Sequence, residues 1–143
     1  MKTLFLDANI FLYAIGAESP QREACQRVLV AVGEGRLDGV SDAEVLQELL
    51  HVRRRRLTPQ HASETVHEAA TLLREVLPVT AAHVLRAGEL LVERESLSAR
   101  DALHAAVMEA QGIQLMVSLD ADFDRLPSLR RLTPAEALEL VGK

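Results

Sequence analysis

Short apolar segments alternate with longer helical segments along this chain, and this alternation constrains the fold more than any other feature. Five segments have the character of strands: residues 2–7, about 39–41, 77–80, 114–119 and, more weakly, 130–132. A chain that passes through a helix after each strand builds a parallel sheet with helices on both faces. We therefore predict an α/β fold, a three-layer α/β/α arrangement with a central parallel sheet. The length of 143 residues predicts a single domain, residues 1–143.

Hydroxyl side chains mark the expected starts of several helices. Capping motifs occur at Ser19-Pro20, Ser41-Asp42-Ala43-Glu44, Thr58-Pro59, Ser98-Ala99-Arg100-Asp101 and Thr133-Pro134. A hydroxyl at the N-cap accepts a backbone hydrogen bond from the first turn, and proline fits the first helical position. We expect Glu44 to complete its cap by reaching back to Ser41, and Glu136 to do the same at Thr133.

Composition narrows the possible functions. The net charge of −5 disfavours a protein that holds nucleic acid by general electrostatics alone, although carboxylates in one cleft would contribute to that charge and bound divalent cations would neutralise it. The single cysteine, Cys25, cannot form an intramolecular disulfide, and its helical spacing predicts a core position. The apolar runs are too short to cross a bilayer, so we expect a cytoplasmic protein without membrane contact.

Two of the apolar strand candidates run directly into carboxylates. Asp7 follows the run Leu4–Leu6, and Asp120 follows residues 114–119. The carboxyl ends of parallel strands meet at one edge of a sheet, where the loops diverge and leave a crevice for ligands. We therefore expect Asp7 and Asp120 to point into the same crevice.

Two further carboxylates project from apolar helix faces. Glu48 lies between Val45 and Val52 at helical spacing and so faces inward. Asp101 shares a face with Leu97, although a carboxylate at this helix position often serves only as a cap. Four ionised carboxylates in one apolar crevice would repel one another unless a hard divalent cation lay between them. Ligation by oxygen alone favours Mg²⁺ or Mn²⁺ over zinc.

Four motifs follow one another along the chain and carry these carboxylates: Leu6-Asp7-Ala8-Asn9-Ile10, Val45-Leu46-Gln47-Glu48-Leu49-Leu50, Asp101-Ala102-Leu103-His104-Ala105-Ala106 and Ser118-Leu119-Asp120-Ala121-Asp122-Phe123. Each motif alone is weak, but the ordered set is specific and spans nearly the whole chain. The set resembles the PIN-domain ribonucleases, most closely the VapC-type toxins of bacterial and archaeal toxin–antitoxin pairs.

The resemblance implies a metal-dependent endoribonuclease that hydrolyses RNA and leaves a 5′-phosphate and a 3′-hydroxyl. The implied catalytic and metal-binding residues are Asp7, Glu48, Asp101 and Asp120, with Asp122 as a further metal ligand. Asn9 matches a polar position that orients the first aspartate, and Ser118 keeps the hydroxyl of a position where the family often has threonine. The implied cofactor is Mg²⁺ or Mn²⁺. The implied partners are the RNA substrate, a second copy of the chain and a cognate antitoxin protein.

Three sequence features have two interpretations each. The run Arg53-Arg54-Arg55-Arg56 either contacts the RNA backbone near the cleft or is a solvated helix end. His104 either touches the substrate or metal ligands or, as we expect, lies at the core edge or the surface. The apolar residues Leu72, Leu73, Val84 and Leu85 belong either to a dimer face or to the core.

Two other functions compete with the nuclease. A phosphatase of the haloacid-dehalogenase type is disfavoured, because such enzymes carry a second aspartate two positions after the first, where this chain has Asn9. The stronger alternative is a non-catalytic PIN-fold protein that binds RNA or regulates another molecule. Because all four acidic positions are filled, the residues favour an active enzyme.

Overall fold

A single five-stranded parallel sheet organises the chain, and the computed structural model describes all residues from Met1 to Lys143. The strands are β1 (Thr3–Leu6), β2 (Asp38–Asp42), β3 (Glu75–Leu77), β4 (Leu115–Val117) and β5 (Arg130–Leu132). They lie in the order β3-β2-β1-β4-β5, and every neighbouring pair is parallel. The order places β1 at the centre, where its apolar side chains are covered on both faces.

Seven α-helices flank the sheet, which confirms the predicted three-layer α/β/α fold. They are α1 (Ala8–Ile15), α2 (Arg22–Gly33), α3 (Ala43–Arg54), α4 (Pro59–Leu72), α5 (Ala81–Glu93), α6 (Ala99–Gln111) and α7 (Pro134–Leu138). A 3₁₀ helix, Ala121–Arg125, follows β4. Helices α1 to α4 and α7 pack against one another, whereas α5 and α6 form a separate pair. None of the helices is both long enough and apolar enough to span a bilayer.

Strand β2 shows how the two helical layers cover the sheet. Val40 packs with Val107 of α6 on one face. Gly39 faces Val32 of α2 so closely that a Cβ atom at this position would lie 2.7 Å from a Val32 methyl. A side chain at Gly39 would therefore push α2 away from the sheet. Cys25 of α2 is fully buried in this core, as its spacing predicts.

Helix starts were predicted correctly in part. Thr58, Ser98 and Thr133 are the N-caps of α4, α6 and α7, and Glu136 completes a capping box with Thr133. The prediction at Ser19-Pro20 was wrong, because α2 begins at Arg22 without a side-chain cap.

The strand and cap predictions needed two further corrections. Strand β3 ends at Leu77, so the predicted 77–80 strand was placed too late; Thr80 instead caps α5 together with His83. At α3 the cap is Asp42 rather than Ser41, since the strand continues one residue beyond the predicted 39–41 segment.

Candidate active site

Asp7 is fixed at the carboxyl ends of the neighbouring strands β1 and β4. The register pairs Leu6 of β1 with Val117 of β4, and the Asp7 amide donates to the Val117 carbonyl at 3.0 Å. This register brings the Asp7 side chain next to Ser118, whose hydroxyl donates to Asp7 Oδ2 at 2.7 Å. Asp7 Oδ1 accepts from the Ala8 amide at 2.8 Å, where it caps α1. The carboxylate is therefore held in one orientation.

Asn9 and Ser118 also hold the loop that follows β4. Asn9 donates to Asp7 Oδ2 at 3.2 Å, and its amide oxygen accepts from the Leu119 backbone at 3.2 Å. Ser118 Oγ accepts from the Asp120 amide at 3.0 Å. The two polar residues thus connect Asp7 to the segment that carries Asp120.

Three carboxylates converge where the segment after β4 meets the start of α6. Ligand oxygens of Asp101, Asp120 and Asp122 all lie within 4.8 Å of one another, and we call these three residues the aspartate cluster. Asp101 comes from the first turn of α6, where Ser98 caps the helix by accepting from the Asp101 amide at 3.1 Å. The Asp101 side chain makes no return bond to the Ser98 backbone, so it remains available to the cluster.

Burial and repulsion between neighbouring carboxylates raise the pKa values of Asp101 and Asp7. Burial, together with the nearby carboxylates of Asp120 and Asp7, raises the pKa of Asp101 to about 7. Burial also raises the pKa of Asp7, although the hydrogen bond from Ser118 opposes this effect. Protonation or a bound cation would relieve the repulsion. Because the clustered donors are all carboxylate oxygens, they fit a hard divalent cation such as Mg²⁺ or Mn²⁺.

Of the five predicted metal ligands, Asp7 is not part of the aspartate cluster, and neither is Glu48. The largely buried Glu48 side chain on α3 forms an ion pair with Arg100, the residue before Asp101 in α6. Arg100 Nε also lies 3.5 Å from Glu44 Oε1. The prediction that Glu44 caps α3 was therefore wrong, because its carboxylate faces this arginine and Asp42 is the cap.

A buried pair that the sequence did not suggest lies behind the site. Asp42 Oδ2 accepts from His104 Nδ1 at 2.7 Å, and both side chains are 0% exposed. Burial alone would lower the pKa of His104, but the hydrogen bond and charge of Asp42, with the charges of Asp7 and Asp101, raise it. The expected core-edge or surface position of His104 was wrong. Asp42 lies at the carboxyl end of β2, just as Asp7 lies at the carboxyl end of β1. This position in the sequence could have identified Asp42 as a residue near the site.

The arginine run ends the helix that carries Glu48. Arg53 and Arg54 form its last turn, Arg55 is the C-cap, and Arg54, Arg55 and Arg56 are exposed. At 1.5 Å per residue, Arg53 lies about 7.5 Å beyond Glu48 along the axis of α3. Arg53 and Arg54 thus lie within two helical turns of Glu48 along α3.

The four apolar residues considered for a dimer face divide into two groups. Leu73 is buried in the core, and Leu72 packs against it. Val84 and Leu85 of α5 are 54% and 71% exposed, and Val92 on the same helix is 81% exposed. Of the two interpretations, the core position therefore applies to Leu73, whereas α5 carries an exposed apolar stripe.

Comparison with known proteins identifies relatives over almost the whole chain. A family model described as PIN domain matches residues 4–129. Ribonuclease VapC13 of Mycobacterium tuberculosis is 38% identical over 132 residues, which cover 90% of this chain and 98% of the relative. Ribonuclease VapC23 of the same species is 34% identical over 120 residues, with 82% and 92% covered.

Solved structures show the same fold. M. tuberculosis VapC20, described as a Sarcin-Ricin loop cleaving toxin, matches with a TM-score of 0.71 at 23% identity, covering 87% of this chain and 95% of that one. A chain of VapBC2 from Rickettsia felis, bound to a DNA fragment from its promoter, matches with a TM-score of 0.70 at 20% identity, with 92% and 98% covered. From the family model and the sequence relatives together, the chain belongs to the PIN-domain family, alongside the VapC ribonucleases.

Proposed function

We propose that this protein is a metal-dependent endoribonuclease and the toxin of a toxin–antitoxin pair. One observation carries the proposal: the aspartate cluster of Asp101, Asp120 and Asp122 lies at the same sheet edge as the fixed carboxylate of Asp7. Relatives at 38% and 34% identity are named ribonucleases, and they are matched over nearly their full length. Because the match covers residues 4–129, we propose that one domain performs the reaction.

The carboxylates would hold the cation, and the surrounding polar residues would keep them in place. We assign Asp7, Asp101 and Asp120 to Mg²⁺ or Mn²⁺, with Asp122 and Glu48 as further ligands. A divalent cation bound there supplies positive charge for the phosphate and lowers the pKa of water, so that hydrolysis proceeds at neutral pH. The hydrogen bonds of Ser118 and Asn9 keep the Asp7 carboxylate oriented, as hydrogen-bond partners of metal ligands generally do.

We propose that the exposed arginines at the end of α3 hold the RNA backbone. The chain as a whole is acidic, with a net charge of −5, so a local positive surface is needed to attract a polyanion. Replacing Arg54, Arg55 and Arg56 by glutamine should weaken binding to every RNA sequence and reduce its dependence on salt. The slope of log K against log salt is negative, and each lost phosphate contact reduces its magnitude by about 0.7 on single strands. An unchanged slope would assign these residues to a solvated helix end.

Two protein partners are part of the proposal. The solved relatives include toxin–antitoxin complexes, so we propose a cognate antitoxin for this chain. We also propose a homodimer in which the exposed stripe of Val84, Leu85 and Val92 on α5 is buried, because water-exposed apolar side chains grouped on one helix face favour association.

RNA cleavage with end-group analysis tests the enzymatic proposal. Purified wild-type protein and Asp120→Asn are incubated with structured and single-stranded RNAs in Mg²⁺, Mn²⁺ or EDTA, with Glu64→Gln on the exposed face of α4 as a matched control. We expect metal-dependent cuts with 5′-phosphate ends from the wild type and the control, and none from Asp120→Asn. RNA binding that is equal in all three proteins, without cleavage by any of them, would support the non-catalytic alternative.

A further inference from the structure

Arg100 contacts two acidic side chains of the neighbouring helix. Its Nη1 forms an ion pair with Oε1 of Glu48, and its Nε lies 3.5 Å from Oε1 of Glu44. Glu44 and Glu48 are one helical turn apart on α3, so one guanidinium at the start of α6 reaches both. An arginine guanidinium is not deprotonated in proteins. Glu48 is therefore paired with a permanent cation.

This pairing and the aspartate cluster make competing demands on Glu48. The Glu48 side chain is 19% exposed and that of Arg100 is 44% exposed, so the contact is partly shielded from solvent. The carboxylate of Glu48 is turned to the arginine and lies outside the cluster formed by Asp101, Asp120 and Asp122. Glu48 can become a ligand of a cation in that cluster only if its carboxylate leaves the Arg100 guanidinium or contacts the guanidinium and the cation together.

We propose that Arg100 is a positioning residue that controls how available Glu48 is to the metal ion, an inference that rests on the proposed metal-dependent function. In the metal-free protein Arg100 holds Glu48 away from the cluster. When a cation attracts Glu48, Arg100 keeps its second contact with Glu44, so the guanidinium is not left without a partner. Because Arg100 can stay paired with Glu44, one helical turn away, moving Glu48 costs little free energy.

The size of the effect follows from the kind of contact. Ion pairs that are partly exposed at a protein surface change an equilibrium by a factor of about two to five. We therefore expect Arg100→Gln to bind Mn²⁺ about two to five times more tightly than the wild type. Removing any nearby positive charge also favours a cation, so the affinity of this one variant is not a sufficient test.

A double-mutant cycle separates the release of Glu48 from the general effect of removing a positive charge. Mn²⁺ dissociation constants are measured by calorimetry for the wild type, Arg100→Gln, Glu48→Gln and the double variant, with circular dichroism as the check on folding. If Arg100 acts through Glu48, the tighter binding of Arg100→Gln is absent in the Glu48→Gln background. Arg36→Gln, which removes an exposed arginine before β2 at the opposite sheet edge, should bind Mn²⁺ as the wild type does. Arg100→Lys keeps the charge and should show an intermediate gain.

Three results would overturn the proposal, and they differ in what else they overturn. An equal gain from Arg100→Gln in both backgrounds would assign the effect to general charge. Weaker Mn²⁺ binding by Arg100→Gln would mean that the arginine orients Glu48 toward the ion. Either result leaves the nuclease proposal intact, provided that the wild type binds Mn²⁺ and Asp120→Asn does not. Failure of the wild type to bind Mn²⁺ would overturn both proposals.

Discussion

Replacing Asp101 by asparagine should stabilise the metal-free protein, and the gain should depend on pH. Burial and the carboxylates of Asp120 and Asp7 raise the pKa of Asp101 from 3.8 to about 7. The folded state therefore holds the Asp101 proton more tightly than the unfolded state, so the contribution of Asp101 to wild-type stability falls as the pH rises through this interval and is constant above it. Asparagine carries no charge and removes this loss.

The magnitude follows from the shift in the pKa of Asp101. A change of 1 in the pKa is equivalent to about 1.4 kcal/mol of stability. The rise from 3.8 to about 7 therefore limits the destabilisation by Asp101 to about 4 kcal/mol. Solvent screens the carboxylate, which is only partly buried, and we expect about 1–2 kcal/mol to remain. With a urea m-value of about 1–3 kcal/mol/M, the unfolding midpoint should rise by roughly half to one molar above pH 7. Near pH 4 the two proteins should unfold at almost the same urea concentration.

Urea unfolding in EDTA across this pH range is the assay. Asp124→Asn is the matched control from the 3₁₀ helix, because the hydrogen bond from Arg131 lowers the pKa of Asp124. This control should be less stable than the wild type at neutral pH, and its deficit should disappear as the pH falls. If Asp101→Asn instead lowers the midpoint at every pH, Asp101 is a helix cap and the repulsive cluster does not exist.

Three further changes test separate contacts. Ser118→Ala removes the 2.7 Å hydrogen bond to Asp7 and should weaken Mn²⁺ binding, measured by calorimetry, about 10- to 100-fold, whereas Ser118→Thr should keep most of the affinity. Equal losses in both variants would show that the hydroxyl does not orient Asp7. His104→Ala should lower the free energy of unfolding, measured by urea denaturation, by about 3–5 kcal/mol, since Asp42 stays buried without its partner. A loss below about 1 kcal/mol would show that the pair is dispensable. Leu85→Lys places a charge on the exposed stripe of α5 and should shift the protein to a monomer in analytical ultracentrifugation; an unchanged dimer would exclude that surface.

The central part of the fold could be predicted from the sequence because its strands are short, apolar and followed by polar residues. Leu4, Phe5 and Leu6 are fully buried, and the strand ends immediately before Asp7. The third strand was misplaced because Glu75 is exposed and only Leu77 is buried, so an edge strand of three residues carries little apolar signal.

Side-chain partners across the fold could not be predicted in the same way. The pairing of Asp42 with His104 joins residues 62 positions apart, and that of Glu48 with Arg100 joins residues 52 positions apart. Helical periodicity shows which face a side chain occupies, but the opposite helix decides which atom it contacts. For this reason the inward orientation of Glu48 was foreseeable and its arginine partner was not.

Anomalous diffraction from crystals soaked in Mn²⁺ tests the metal assignment most directly. We predict a single strong peak between the carboxylates of Asp101 and Asp120, within coordination distance of Asp7, in the wild type, and no peak at this position in Asp120→Asn. Absence of a peak from wild-type crystals at a Mn²⁺ concentration that supports RNA cleavage would contradict the account, because the ion needed for the reaction would then be bound elsewhere.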